Sequence, residues 1–92
     1  MGKGARRLPK RLPAKLRQIR EALGLSQSEL LRRLEAEESI TYHRISDYEL
    51  GKNEPPLDVL LSYARLAGVC VDVLIDDKLD LPAKLPAKTK HS

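Results

Sequence analysis

Apolar residues recur at spacings of three and four over much of residues 13–76, which is the pattern of helices that bury one face. The first such stretch follows Pro13, and proline suits the first turn of a helix because its missing N–H needs no partner there. Its apolar stripe consists of Leu16, Ile19, Ala22 and Leu23. Gly24 then provides a left-handed stop, so the pattern predicts a first helix from residue 13 to about residue 23.

A second, shorter helix is predicted after residue 25. The segment Ser26-Gln27-Ser28-Glu29 has the sequence of a capping box, in which the serine and glutamate side chains satisfy free N–H groups at a helix start. Its buried face would be formed by Leu30, Leu31 and Leu34. The same phase would next need an apolar residue at position 38, where Glu38 stands, so residues 35–39 are expected to form a loop.

A third helix is expected from about residue 40 to residue 50. Ser39 or Thr41 can cap its N-terminus, and Ile45 and Tyr48 would point inward. The residues left on or beside its outward face are Tyr42, His43, Arg44, Ser46 and Asp47. Gly51 would terminate this helix.

Two further helices are predicted beyond the turn at Pro55 and Pro56. The first carries a broad apolar band made of Leu57, Leu60, Leu61, Ala64, Leu66 and Ala67. The second, Val71 to Ile75, would close the core or lie at a subunit interface, and Cys70 before it is expected to be a small core residue. Beyond Asp77 the sequence LPAK occurs twice, and its prolines forbid helix, so residues 78–92 are predicted to form an extended or disordered Pro/Lys-rich tail.

Charge is distributed unevenly along the 92 residues, whose formal net charge is +4. Residues 1–17 hold seven Lys and Arg and no acid, whereas residues 18–77 hold six basic residues against twelve acidic ones. Residues 78–92 hold four lysines against one aspartate. Two cationic ends therefore flank an acidic body, and residues 1–12, which lack a helical period, are predicted to be a flexible basic arm.

Several classes of protein are not favoured by the sequence. A single cysteine cannot form an internal disulfide, which makes a reducing cytoplasm the expected location. No apolar run approaches the roughly 20 residues of a membrane span, so we expect no membrane association. No histidine is spaced with Cys, Asp or Glu as metal ligands are, and no glycine-rich turn follows a strand. We therefore expect no catalytic residues, no metal and no cofactor.

Three segments in a fixed order carry a resemblance to a known family: LRQIREALGLSQSEL, ISDYELGKNEPPLDVLLSYARLAGV and VDVLI. With them, residues 13–76 resemble the Cro/lambda-repressor type helix-turn-helix of xenobiotic-response-element transcriptional regulators. The resemblance implies an all-α, five-helix lambda-repressor-like domain over residues 13–77 that binds double-stranded DNA. It departs from the family at residues 35–39, where the family usually has one glycine and this chain has three glutamates among five residues. Negative charge there would weaken binding to phosphates.

The resemblance also implies roles for particular residues. Gln27 matches a glutamine that contacts the DNA backbone, and Arg20 with Glu49 matches a structural ion pair between the first and third helices. The third helix matches the recognition helix, whose base-reading positions fall at Tyr42, His43 and Asp47. The family's phosphate-contacting positions fall at Thr41, Arg44, Lys52 and Asn53.

The side chains of the third helix are chemically suited to reading base edges. Arg44 could form two hydrogen bonds to guanine or bind a phosphate, and His43 can donate or accept. Tyr42 can contact a thymine methyl group, and Asp47 can only accept, which favours cytosine. Ser46 lies beside them. In the arm, the residues that could enter a minor groove or follow the backbone are Arg6, Arg7, Lys10 and Arg11, although a solvated basic tail is equally compatible with this composition.

The sequence thus favours a sequence-specific transcriptional regulator, with repression as the expected sign. A homodimer is expected, with candidate contacts at Val69, Val71, Val73, Leu74 and Ile75 unless the core takes them all. The alternative is a protein-interaction module, or an antitoxin-like protein, that uses the same fold and its acidic body to bind a protein partner.

Overall fold

The computed structural model describes residues 9–38 and 40–86, and over these residues it contains five α-helices and no strand. The helices are α1 Leu12–Ala22, α2 Gln27–Arg33, α3 Tyr42–Leu50, α4 Leu57–Ala67 and α5 Val71–Ile75. The predicted all-α, five-helix fold is confirmed. The predicted cap at Ser39 and the predictions for residues 1–8 and 87–92 lie outside the described residues.

The core is aliphatic and surrounds the ring of Tyr63. Its largest fully buried side chains come from all five helices: Tyr63, Leu16, Ile19, Leu30, Ile45 and Leu74. The first helix is central, because it packs against α3, α4 and α5, whereas α2 packs mainly on α3. The second helix is thus held in the domain mainly through α3, which packs on α1.

Each of the first four helices ends in the same backbone motif, in which two consecutive residues just beyond the helix donate N–H groups to carbonyls of its last turn. The motif needs a residue with positive φ, and three of the four positions are the glycines Gly24, Gly51 and Gly68. At the end of α2 the position is taken by Glu35, with φ of 57°. There Glu35 N–H donates to the Arg32 carbonyl at 3.0 Å, Ala36 N–H donates to the Leu31 carbonyl at 3.3 Å, and Ala36 is buried. The predicted loop is confirmed for residues 35–38.

The starts of α2 and α3 differ in their caps. The capping box of α2 is formed as predicted: Glu29 N–H donates to Ser26 Oγ at 3.0 Å, and Ser26 N–H donates to Glu29 Oε1 at 2.8 Å. These hydrogen bonds lower the pKa of Glu29. Thr41 is the N-cap of α3, but its side chain makes no capping hydrogen bond.

Three expectations about apolar residues were wrong. Ala22, predicted on the apolar stripe of the first helix, is exposed at the end of α1. Leu57 is 84% exposed and Leu61 is also exposed, because the buried face of α4 follows another phase, made of Val59, Leu60, Tyr63, Ala64 and Ala67. Cys70 is exposed at the N-cap of α5 and is not a core residue. The apolar residues beside Cys70 in the sequence suggested that it would be buried, but the turn before α5 exposes it to solvent.

The predicted boundary between domain and tail at residue 77 also needs correction. Leu81 and Leu85 are buried and belong to the hydrophobic core. The prolines do prevent α-helix in this segment, as predicted. Burial of each leucine nevertheless favours packing of this segment on the domain by about 1.5–3 kcal/mol. Residues 78–85 are therefore part of the folded unit.

The start of α1 is fixed to the segment after α5. The carboxylate of Asp77 accepts hydrogen bonds from the backbone N–H groups of Lys10 and Arg11, at 2.9 and 3.0 Å. The Arg11 guanidinium donates to the Asp77 carbonyl at 2.8 Å and pairs with the Asp80 carboxylate. The predicted flexible arm of residues 1–12 is thus wrong for Lys10 and Arg11, and α1 already begins at Leu12.

Lys15 also connects α1 to the end of α5. Its side chain is only 2% exposed, and its Nζ donates to the carbonyls of Val73 at 2.6 Å and Asp76 at 3.0 Å, at the C-terminus of α5. A cation is favoured there by the free carbonyls of the last helical turn. Burial lowers the pKa of Lys15.

Candidate nucleic-acid interface

The outward face of α3 carries the residues that the sequence placed there. Ile45 and Tyr48 are buried beneath it, as predicted. Tyr42, His43 and Arg44 in its first turn are exposed, and Ser46 and Asp47 are half-buried. Thr41 is exposed at the N-cap. A continuous polar and aromatic surface of about one and a half helical turns therefore faces solvent, as direct reading of base edges requires.

The orientation of α3 is set by an ion pair with α1. Arg20 Nε donates to Glu49 Oε2 at 2.7 Å, and a second guanidinium nitrogen donates to Glu49 Oε1 at 3.0 Å. The side chains are 18% and 5% exposed, respectively. The hydrogen bonds to Glu49 raise the pKa of Arg20. The predicted structural pair is confirmed.

The same pair reaches the start of α2. Arg20 also donates to the Leu25 carbonyl at 3.1 Å, in the turn before α2. Gln27, the first residue of α2, is half-buried and directs its Nε2 to Glu49 Oε1 at 3.5 Å. The polar node of Arg20, Glu49 and Gln27 therefore joins three helices. It fixes α2 and α3 relative to each other.

Asp47 has an intramolecular role that the sequence did not indicate. Its carbonyl accepts from the N–H groups of Lys52 at 2.9 Å and Asn53 at 3.4 Å. Its carboxylate accepts from Asn53 Nδ2 at 3.2 Å. Asp47 therefore orders the turn that presents Lys52 and Asn53, both of which are exposed. Any base contact by Asp47 would share this carboxylate with Asn53.

The rings of Tyr42 and His43 are stacked, with centroids 4.2 Å apart and an interplanar angle of 27°. Stacking of this kind limits the rotamers of both side chains before any ligand binds. Sequence reasoning missed the pair, because adjacent residues on a helix do not ordinarily face each other. The first turn of α3 thus presents a pre-ordered aromatic pair next to Arg44.

A groove of about 520 Å³ lies between the start of α1 and the end of α3, and we call it the α1–α3 groove. It is lined by Pro9, Lys10, Leu12, Pro13, Tyr48, Gly51, Lys52, Asn53, Glu54 and Pro55. The two helices meet closely at its floor, where a Cβ added to Gly51 would lie 3.4 Å from Pro13 Cγ. The groove brings Lys10 close to the turn that holds Lys52 and Asn53. These residues are about forty positions apart in the sequence, and no sequence pattern predicted that they would be close.

Both acidic and basic side chains lie in the segment just before α3. Glu35, Glu37 and Glu38 are exposed in the loop between α2 and α3. Arg32 and Arg33 are exposed on the last turn of α2. Phosphates passing this loop would meet three carboxylates, so the electrostatic attraction must come from other parts of the surface.

Within residues 9–38 and 40–86, no three His, Cys, Asp or Glu side chains are grouped as a metal site would require. None of the helices in these ranges combines the length and the apolar character of a membrane span. The arm residues Arg6 and Arg7 lie outside the described ranges.

Comparison with known families matches residues 16–74 to a helix-turn-helix family, that of the Cro/C1 type. The match begins in α1, contains α2 and α3, and ends in α5, so it spans the helices whose geometry is described above. Comparison with curated proteins and with solved structures found no match. The matched segment covers more than half of the chain, and the chain therefore belongs to the Cro/C1-type helix-turn-helix family of DNA-binding transcriptional regulators.

Proposed function

We propose that this protein regulates transcription by reading a specific DNA sequence in the major groove with α3. The observation that carries the proposal is the exposure of Tyr42, His43 and Arg44 on a helix whose opposite face is buried. The Arg20–Glu49 pair holds that helix against α1. A rigidly held helix can keep its side chains in register with base edges, which is a condition for discriminating among sequences.

The residues divide into base-reading and backbone-binding groups. Tyr42, His43 and Asp47 are proposed to contact base edges, and Ser46 lies half-buried beside them. The proposed contacts to the DNA backbone are Gln27, Thr41, Arg44, Lys52 and Asn53. Of the arm, Arg6 and Arg7 remain proposed contacts. Arg11 would first have to leave Asp77 and Asp80, so we assign it a structural role.

Repression in the cytoplasm is the regulatory mode that we favour, because a domain seated in the major groove excludes other proteins from the same site. We also propose that it binds as a twofold dimer. Leu74 is taken up by the core, so it is removed from the candidate contacts. Ile75 is exposed, and it lies with Leu57 and Val71 along one apolar groove. This surface of α4 and α5 is the proposed contact between the two copies.

Selection from a random double-stranded DNA library tests the function, with the enriched sequences titrated at two salt concentrations. We expect an enriched palindrome with half-sites about 34 Å apart, whose preference over random DNA persists at the higher salt. Binding without enrichment that disappears as salt rises would contradict sequence-specific recognition.

A second candidate is binding of a protein partner by the same fold. Three exposed glutamates in the α2–α3 loop favour it, since they disfavour DNA and suit a basic protein surface. The two candidates differ in the library selection: a pure protein-interaction module would enrich no DNA sequence at either salt concentration.

A further inference from the structure

Asp77 lies after α5, in a segment with no role in the recognition helix, yet it holds the chain just before α1. Its carboxylate accepts from two consecutive backbone N–H groups, those of Lys10 at 2.9 Å and Arg11 at 3.0 Å. These hydrogen bonds lower the pKa of Asp77, so the carboxylate is ionised at neutral pH. The main chain at Lys10 is therefore fixed by a residue 67 positions away.

Lys10, whose backbone Asp77 holds, lies at the α1–α3 groove. Lys10 lines this groove together with Lys52 and Asn53, the two residues proposed to meet the DNA backbone. Two lysines and one carboxylate, that of Glu54, line the groove, so its formal charge is positive. Asn53 adds an amide, and its side chain is in turn held by Asp47. Lysine and amide donors are the groups that commonly bind phosphate oxygens of DNA.

We propose that Asp77 is a positioning residue for DNA binding, which holds Lys10 beside Lys52 and Asn53 so that the α1–α3 groove binds a phosphate of the DNA backbone. The inference rests on the proposed DNA-binding function and extends it to a residue of the segment after α5. Asp77 itself touches no DNA. It acts only through the backbone of Lys10 and Arg11.

Loss of the Asp77 charge should have the opposite effect to that of an ordinary surface carboxylate. Removing a carboxylate from a protein that binds a polyanion ordinarily strengthens binding, because repulsion is lost. If Asp77 positions Lys10, its replacement by alanine must instead weaken binding, since Lys10 is released from the groove. Asp72→Ala is the matched control: Asp72 is an exposed acid on α5, and its removal changes the net charge equally.

The test measures dissociation constants for an operator duplex and a scrambled duplex over a range of salt, for variants whose folding is verified by circular dichroism. For Asp77→Ala we expect roughly three- to tenfold weaker binding to both duplexes, and a salt slope shallower by about 0.9, as for the loss of one phosphate contact. Asp77→Asn keeps only one acceptor oxygen for the two N–H groups, so its binding should fall between that of Asp77→Ala and that of the parent. Asp72→Ala should bind at least as tightly as the parent.

Lys10→Ala gives a second, independent readout, because this surface variant should fold whether or not Asp77→Ala does. It should reproduce the weaker binding and the shallower slope, and adding Asp77→Ala to it should weaken binding no further. Lys78→Ala, which removes an exposed lysine outside the groove, should weaken binding less.

Three results would overturn the positioning role: Asp77→Ala binding as tightly as Asp72→Ala, Lys10→Ala binding no worse than Lys78→Ala, or additive effects in the double variant. A parent protein that fails to bind any duplex would instead refute the proposed function, so the two failures are distinguishable.

Discussion

Replacement of Glu49 by glutamine should destabilise the protein although it preserves the shape of the side chain. Glu49 is 5% exposed and accepts two hydrogen bonds from Arg20, at 2.7 and 3.0 Å. Breaking a buried ion pair by removing one charge costs about 3–5 kcal/mol, because the other charge stays buried without compensation. Here Arg20 is 18% exposed, and the glutamine oxygen still accepts one hydrogen bond, so we expect about 2–3 kcal/mol.

That loss is large for a domain of this size. At about 0.05–0.15 kcal/mol per residue, 92 residues correspond to a total stability of roughly 5–14 kcal/mol. A loss of about 2–3 kcal/mol should lower the melting temperature by about 10–20 °C, since each kcal/mol corresponds to about 4–8 °C in small domains. Urea and thermal unfolding followed by circular dichroism would measure both quantities.

Glu21→Gln provides the matched control. Glu21 pairs with Arg17 on the surface of α1 at 2.9 Å, with side chains 56% and 61% exposed, so its replacement should cost less than about 1 kcal/mol. The reasoning would be refuted if Glu49→Gln cost no more than Glu21→Gln. In that case the pair between α1 and α3 would not determine the orientation of the recognition helix.

Three further predictions concern stability. Tyr63→Phe should leave stability unchanged or raise it by up to about 1–2 kcal/mol in urea unfolding, because the buried Tyr63 hydroxyl has no hydrogen-bond partner within residues 9–38 and 40–86; a loss above about 1 kcal/mol would contradict this. Glu35→Gly should stabilise the protein by about 1 kcal/mol, since Glu35 has positive φ, whereas Glu37→Gly, with the same charge change, should not; equal effects would exclude backbone strain as the cause. The pKa of Asp77 is lowered in the folded protein, so its stabilising contribution is full above the ordinary value of 3.8 and is lost as pH falls through the lowered pKa. The free energy of unfolding of Asp77→Asn, measured in urea, should therefore depend less on pH below about 4 than that of the parent. A pH dependence equal to that of the parent would show that the Asp77 carboxylate contributes nothing to stability.

The helices and their ends could be predicted from the sequence because their signals are local. Three glycines stand at positions that need positive φ, and Ser26 with Glu29 forms the capping box that its spacing indicates. Ile45 and Tyr48 fall on the inner face of α3 because three-residue spacing places them there. The outward set on α3 then follows by elimination. The Arg20–Glu49 pair is a long-range contact, and the family resemblance was needed to predict it.

The contacts of the segment after α5 could not be predicted, because local rules describe only its backbone. Prolines exclude helix, but they do not indicate whether Leu81 and Leu85 meet a groove on the domain. The Asp77 contacts join residues 66 and 67 positions apart, and no periodicity relates them. The predicted flexibility of Arg11 failed for this reason: composition favoured a mobile arm, whereas tertiary hydrogen bonds fix it.

The claim that α3 reads the DNA sequence is tested most directly by comparing the operators selected by the parent, His43→Ala and Arg44→Ala. Both residues are exposed in the first turn of α3, so these variants should fold like the parent. For His43→Ala we expect relaxed preference at one base pair of each half-site, by about 1–3 kcal/mol, with the other positions unchanged. Arg44→Ala should relax one position by a similar amount if it reads guanine, or weaken all sequences equally if it binds phosphate. Retention of the parental base preferences at every position by both variants would contradict reading by the first turn of α3.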